Sequence, residues 1–155
     1  MPTILALLRH GRATGQGPNA ALTAEGAGYI ELLGEHLAGE GWTPVAAFCS
    51  PYERARHTAN ILLEHVAPGL RATLLEALTP DSDPDEAIAV LQAAGLPEGR
   101  VLVVAHLPLL GLISQRLTGE DPGFHPGMFV EIELAPNRVS GHLVRQLGAD
   151  DLLGH

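Results

Sequence analysis

The stretch PTILALLRHG, residues 2–11, indicates the fold class. Residues 2–8 form a continuous apolar run rather than an alternating one, which is typical of a parallel strand buried on both faces. Residues 101–105, VLVVA, form a second such run. A histidine follows each run closely, His10 in the first case and His106 in the second. Ligands bind at the carboxyl ends of strands in open α/β sheets, so the pattern predicts a site there, whereas two unrelated strand-end histidines are the alternative.

Length and charge limit the classes of function. A chain of 155 residues predicts one domain spanning residues 1–155, which buries about two thirds of its unfolded surface. The net charge of -9 argues against nucleic acid and membrane surfaces as partners, because both require a basic face.

The positive charges are unevenly distributed. The chain has no lysine, and its nine cationic side chains are all arginines. Four of them lie in the two segments that we expect to form the site: Arg9, Arg12, Arg54 and Arg56. Such a local positive region on an acidic protein can attract an anionic substrate.

Cysteine content and hydropathy indicate the compartment. Cys49 is the only cysteine, which excludes an internal disulfide and favours a reducing compartment. We expect Cys49 to be a small buried residue at a strand end. The N-terminal apolar run is too short to span a membrane and lacks a basic leader, so we expect a cytoplasmic protein.

The remaining pattern alternates strands and helices. Three helix starts are predicted. Thr23 is the expected N-cap of the first helix, and Ser50 is the expected N-cap of the second, in a capping box closed by Glu53. A turn before Asp83 introduces the third helix. The elements in chain order are a strand at 2–8, a helix to about 39, a strand at 45–49, a helix from 50 to about 66, a strand at 72–75, a helix at 83–94, a strand at 100–106, a helix at 108–117 and strands at 128–134 and 138–147. This order predicts an α/β three-layer sandwich: a mostly parallel central sheet with helices on both faces, a C-terminal antiparallel hairpin and a loose tail at 150–155.

Arg54 suggests an anion site at a helix start. The free amide groups there make the surroundings positive, so a cation is unfavourable by roughly 0.3 to 1 kcal/mol unless an anion lies between them. A phosphate held by Arg54 removes that conflict, whereas an arginine extended into solvent is the alternative. Arg9 is similar, because a charged residue directly after an apolar strand is costly to bury unpaired.

These segments together resemble a known family. The motifs are Arg9-His10-Gly11, Leu22-Thr23-x-x-Gly26, Ser50-Pro51-x-x-Arg54-Ala55-x-x-Thr58 and His106. The chain is thereby similar to the histidine phosphatase superfamily, which includes the phosphoglycerate mutases, over residues 3 to about 119. Glu76-Ala77-Leu78-Thr79-Pro80 and the segment from His106 to Gly111 further resemble the phosphohistidine phosphatases of the SixA type.

The resemblance implies a role for each motif residue. His10 is the expected nucleophile, and Arg9, Arg54 and His106 are expected to form the phosphate pocket. A neutral imidazole can attack phosphorus and form a phosphohistidine, while two guanidinium groups and a second imidazolium stabilise charge on the equatorial oxygens. No metal and no cofactor are expected.

The chain departs from the family pattern at one position, and one role is open. Ala20 stands where related chains often carry an arginine; Arg12 is a substitute from the same loop, or else a solvated loop residue.

Glu76 is the candidate general acid, with a surface carboxylate or capping partner as the alternative. Thr58, Asp81 and the other histidines are expected to be structural or solvated: His36, His57, His65, His125, His142 and His155.

The sequence therefore predicts a metal-independent phosphatase with a covalent phosphohistidine on His10. The leading substrate is phosphohistidine on a protein or protein domain, and a small phosphomonoester is the runner-up. Arg12-Ala13-Thr14 replaces the Glu- or Gln-containing tripeptide that follows the motif in mutases, which argues against a mutase. A non-catalytic phosphate-binding module is the alternative from another class.

Overall fold

The computed structural model describes residues 2–153, in which strands and helices alternate before a final pair of strands. The strands are β1 (Thr3–Arg9), β2 (Ala46–Cys49), β3 (Thr73–Leu74), β4 (Gly99–Ala105), β5 (Phe129–Leu134) and β6 (Gly141–Leu147). The helices are α1 (Ala24–Gly39), α2 (Glu53–Val66), α3 (Pro84–Ala93), α4 (Leu109–Thr118) and α5 (Ala149–Leu153), and a 3-10 turn covers Glu76–Leu78.

All six strands belong to one sheet, in the order β3-β2-β4-β1-β5-β6. The four strands β3, β2, β4 and β1 are parallel to their neighbours. β5 pairs antiparallel with β1, and β6 pairs antiparallel with β5. The predicted mostly parallel sheet and C-terminal hairpin are confirmed. β3 is shorter than predicted, because only Thr73 and Leu74 pair with β2 and both are exposed at the sheet edge.

The two faces of the sheet support two apolar layers. Along β1, Leu5 and Leu7 belong to one buried cluster, which includes residues of α3 and α4. Ala6 and Leu8 point to the opposite face and belong to a cluster that includes residues of α1 and α2. The continuous apolar run at the N-terminus thus reflects burial on both faces, and the predicted three-layer sandwich is confirmed.

Local capping explains where two helices begin. The Thr23 hydroxyl accepts a hydrogen bond from the Gly26 N–H, as predicted for an N-cap. Asp83 caps α3 in the same way, and Pro84 occupies the first turn.

The predicted capping box at Ser50 is wrong. The N-cap of α2 is Tyr52, and it makes no side-chain capping bond. The Ser50 hydroxyl instead accepts the Tyr52 N–H at 3.1 Å and lies 2.7 Å from Nε2 of His106. A turn therefore separates β2 from α2, and it places Ser50 beside the histidine.

The C-terminal segment differs from the expectation of a loose tail. Residues Ala149–Leu153 form α5, where the Gly148 N–H donates to the Asp151 carboxylate at 2.7 Å. Leu152 packs against the layer that contains α1. The last two residues of the predicted tail lie outside the described ones. Within the described part of the chain, no helix has the length and apolar character needed to cross a membrane.

Candidate active site

Three neighbouring parallel strands end at one place in the sheet. Arg9 of β1 is in register with Ala105 of β4, so that the next residues of the two strands are His10 and His106. Their rings lie 5.0 Å apart between centroids. Ser50 follows β2 on the other side of β4. The sheet topology therefore brings together two histidines that lie far apart in the sequence, as the strand pattern predicted.

His10 is held as a neutral imidazole whose Nε2 carries the lone pair. Its Nδ1 lies 2.7 Å from the Gly11 carbonyl oxygen, which can only accept, so Nδ1 carries the proton and Nε2 carries the lone pair. The ring is 8% exposed. Burial lowers the pKa of His10 to about 4 against the opposing effect of the Gly11 hydrogen bond, and the charges of Arg54 and Arg9 lower it further. The ring of His10 is thus neutral at pH 7.

Arg54 points into the site rather than into solvent. It is 4% exposed, and its Nε donates to Nε2 of His10 at 3.3 Å. Its Nη1 donates to the Gly17 carbonyl oxygen at 2.7 Å. The guanidinium carbon lies 5.1 Å from the centroid of the Tyr52 ring, within the range of a cation–π contact. These contacts hold a planar donor group against Nε2 of His10.

Arg9 supplies a second guanidinium with unused hydrogen-bonding capacity. Its Nη1 donates to the Phe124 carbonyl oxygen at 3.0 Å, but its buried Nε has no hydrogen-bond partner among the described residues. Burial lowers the pKa of Arg9, and the nearby charge of Arg54 adds to this effect. Two cations and a buried free donor in one pocket favour an anionic ligand.

His106 differs from the expected imidazolium. It is 1% exposed, and burial lowers its pKa to about 3, with His10, Arg54 and Arg9 adding to the effect. The ring is therefore neutral at pH 7, because burial and two neighbouring arginines oppose a third positive charge. Its Nδ1 is buried and has no partner within residues 2–153.

The histidines open onto a cleft of about 720 Å³. Its lining includes Arg9, His10, Arg54 and His106, together with Tyr52 and Pro108. Arg12 and Asp81 also line the cleft, and both side chains are exposed. A volume of this size is typical of small-molecule and side-chain binding sites.

Glu76, the predicted general acid, is not among the residues that line the cleft. It is exposed on the 3-10 turn, where its carbonyl oxygen accepts hydrogen bonds from the hydroxyls of Thr79 and Ser82. The two-residue strand β3 ends before Glu76, which lies on the turn that follows. Asp81, expected to be structural, lines the cleft instead. Ala20 does not line it, and Arg12 does.

Close packing explains two further motif positions. The Gly11 N–H donates to the Thr58 hydroxyl at 3.2 Å, and that hydroxyl donates to the Arg54 carbonyl oxygen at 2.8 Å. Thr58 thus links the loop that follows β1 to helix α2. A Cβ at Gly26 would collide with the Arg12 carbonyl oxygen, so glycine permits α1 to pack against this loop.

None of the other described histidines lines the cleft with His10 and His106. His36 pairs with Glu40 and His65 with Glu31, both at 3.1 Å. The side chains of His57, His125 and His142 are exposed, and His155 lies outside the described residues. Within residues 2–153, no group of three or more His, Cys, Asp or Glu side chains is arranged to hold a metal ion.

Cys49 is buried at the end of β2, as expected for a small apolar residue. Burial raises the pKa of its thiol to about 11, which leaves it protonated and unreactive at neutral pH.

Sequence reasoning missed the parts that Ser50 and Tyr52 play in the site. Tyr52 packs edge-on against His106 at 5.1 Å between ring centroids and lies beneath the Arg54 guanidinium. The capping box gave Ser50 a local role. The available signal was that both residues lie in the segment Ser50-Pro51-x-x-Arg54.

Comparisons with known proteins agree with the fold and with the family resemblance of the sequence. A model of the histidine phosphatase superfamily (branch 1) matches residues 5–79. A structure of the protein histidine phosphatase SixA complexed with tungstate is 26% identical, with a TM-score of 0.84, and the match covers 94% of this chain and 96% of that one.

Two further structures share the fold. A protein from Agrobacterium tumefaciens assigned as a phosphohistidine phosphatase SixA is 19% identical, with a TM-score of 0.79 and 96% and 99% of the two chains covered. The alpha-ribazole phosphatase from Shigella flexneri is 20% identical, with a TM-score of 0.74 and 91% and 94% covered. No curated protein matches the chain in a sequence search. The chain has the histidine phosphatase fold, and the resemblance of its motifs to the histidine phosphatase superfamily is confirmed.

Proposed function

We propose that this protein is a phosphatase that removes phosphate from phosphohistidine on a protein, through a covalent intermediate on His10. The state of His10 is the observation that carries the proposal. Nδ1 is tied to the Gly11 carbonyl, the ring is neutral, and Nε2 faces a guanidinium. A neutral imidazole with a directed lone pair beside two cations suits attack on a phosphoryl group.

The reaction has two transfers. In the first, Nε2 of His10 forms a bond to phosphorus as the phosphorus–nitrogen bond of the substrate breaks, and the departing imidazole takes up a proton from solvent water. In the second, water attacks phosphorus, the bond to Nε2 breaks, and the phosphate leaves with the water's oxygen, while the water's protons stay on the phosphate or pass to solvent. Arg9 and Arg54 neutralise charge on the equatorial oxygens in both steps.

The character of the cleft supports a protein substrate. Its rim carries exposed residues such as Arg12, Gln16 and Asp81, so that a side chain presented on another protein's surface can reach His10. An imidazole leaving group needs little protonation by the enzyme. This is consistent with a cleft in which no carboxylate of the described chain is buried beside His10.

A small phosphomonoester is the second candidate substrate, and Asp81 is the observation that favours it. An alkoxide leaving group needs a proton donor, and Asp81 is the only carboxylate among the described residues that line the cleft. The similarity to an alpha-ribazole phosphatase is a similarity of fold.

Rates on three substrates separate these candidates. We would measure kcat/KM for a phosphohistidine peptide, an alkyl phosphate and an aryl phosphate, with the His10→Ala protein as the control for spontaneous hydrolysis. We expect the phosphohistidine peptide to exceed the alkyl phosphate by at least about tenfold. A preference for the alkyl phosphate would support the second candidate. Phosphate binding without turnover of any substrate would indicate a non-catalytic module.

A further inference from the structure

Ser50 lies at the end of β2 and is completely buried, with 0% exposure. Its hydroxyl oxygen accepts the Tyr52 N–H at 3.1 Å. The same oxygen lies 2.7 Å from Nε2 of His106, and these are the only two hydrogen-bond contacts that it makes within residues 2–153. A hydroxyl has one proton to donate and two lone pairs. The position of that proton therefore determines the protonation of the neighbouring ring.

Two arrangements of the protons are available to a neutral His106. In the first, Ser50 donates to Nε2, and the ring proton resides on Nδ1. In the second, Nε2–H donates to Ser50, whose own proton then has no acceptor among the described residues. The first arrangement leaves one buried group without a partner, the Nδ1–H of His106, whereas the second leaves two, the Ser50 proton and the Nδ1 lone pair of His106.

We propose that Ser50 is a positioning residue that fixes His106 in the Nδ1–H tautomer and thereby makes His106 a neutral hydrogen-bond donor to the phosphoryl group. The unpartnered Nδ1 of His106 is the nitrogen that remains to donate to an oxygen of the phosphoryl group. The inference rests on the proposed phosphatase function only in naming a phosphoryl group as the acceptor of this hydrogen bond.

The two rings then have complementary roles although they share a tautomer. His10 is fixed by the Gly11 carbonyl and presents the lone pair of Nε2. His106 is fixed by the Ser50 hydroxyl and presents the N–H of Nδ1. A neutral donor also avoids a third positive charge beside Arg9 and Arg54, which a protonated His106 would introduce.

The test combines nitrogen-15 NMR of the histidine rings with kinetics. We would record the tautomers of His106 and His10 at pH 7 in the wild type and in Ser50→Ala. Ser114→Ala is the matched control, because Ser114 is also fully buried and donates its hydroxyl to a carbonyl oxygen, that of Glu120, in another part of the fold. Ser50→Thr tests whether a hydroxyl alone restores the wild-type state.

The expected result is an Nδ1–H tautomer for His106 in the wild type, a shift toward Nε2–H in Ser50→Ala, and an unchanged tautomer for His10 in both. We expect kcat/KM to fall about tenfold to a hundredfold in Ser50→Ala, by analogy with the loss of partners that orient metal-bound histidines. Ser50→Thr should recover the tautomer and most of this loss, and Ser114→Ala should change neither.

An Nε2–H tautomer in wild-type His106 would overturn the proposal even if Ser50→Ala failed to fold. The proposal would also be overturned if Ser50→Ala left the tautomer of His106 unchanged, or if it left kcat/KM unchanged. If the wild type turned over no phosphorylated substrate while His106 showed the Nδ1–H tautomer, the proposed function would fail and the assignment to Ser50 would stand.

Discussion

The Nε of Arg54 donates a hydrogen bond to Nε2 of His10 at 3.3 Å, which is the nitrogen that would attack phosphorus. The lone pair on Nε2 cannot be shared between this donor and a phosphorus atom. Arg54 must therefore exchange His10 for a phosphoryl oxygen as substrate binds. In the proposed mechanism, one guanidinium thus occupies Nε2 of His10 in the free protein and neutralises the substrate during reaction.

Replacing Arg54 by lysine should reduce the activity severely, although the positive charge is kept. A lysine cannot contact both Nε2 of His10 and the Gly17 carbonyl with a planar fork. We expect kcat/KM to fall about a hundredfold to a thousandfold, the range seen when a transition-state donor is removed. Steady-state kinetics against Arg116→Lys, a surface control paired with Asp85, would measure the effect. Wild-type kinetics in Arg54→Lys would contradict the role given to the guanidinium.

The titration of His10 should lie far below that of an ordinary histidine. Its pKa is lowered to about 4, so the neutral nucleophile persists as pH falls from 7 and is lost only as pH falls through about 4. An NMR titration of the ring in the free protein measures this directly. Arg54→Gln should raise the pKa by removing a neighbouring positive charge, and Arg116→Gln should not. A midpoint near 6.5 in the wild type would be inconsistent with the buried, cation-flanked environment.

The positions of Asp81 and Glu76 predict which of these two carboxylates can act as a proton donor. Asp81 lines the cleft, whereas Glu76 is exposed outside it. On an alkyl phosphate, Asp81→Asn should slow the reaction by roughly 10² to 10⁴ if Asp81 protonates the leaving group. On a phosphohistidine peptide the same change should have little effect, and Glu76→Gln should have little effect on either substrate. A loss confined to Glu76→Gln would restore the sequence-based assignment and contradict the geometry.

The sequence was informative where burial and local chemistry act together. The apolar runs before His10 and His106 predicted two central strands, because only strands covered on both faces are apolar throughout. Thr23 was identified as an N-cap because its hydroxyl accepts from the N–H of Gly26, only three positions further along the chain. The anomalous charge of Arg54 at a helix start indicated an anion site from electrostatics alone.

Other features depend on contacts that no local pattern encodes. Ser50 matched a capping box, but its hydroxyl is taken by His106, which lies 56 residues away in the sequence. The neutral state of His106 depends on burial and on two arginines from other segments. Glu76 and Asp81 are only five positions apart, and the short strand β3 and the turn after it decide which of them reaches the cleft.

Trapping of phosphorylated His10 is the most direct test of the central claim. Rapid quenching with a phosphorus-labelled substrate should give a phosphoprotein that is labile in acid and stable in base, with the label located on His10 by peptide mapping. His10→Ala should abolish both the label and the turnover, whereas the surface control Arg116→Lys should retain both. Full turnover by His10→Ala, or a label on any other residue, would contradict the mechanism.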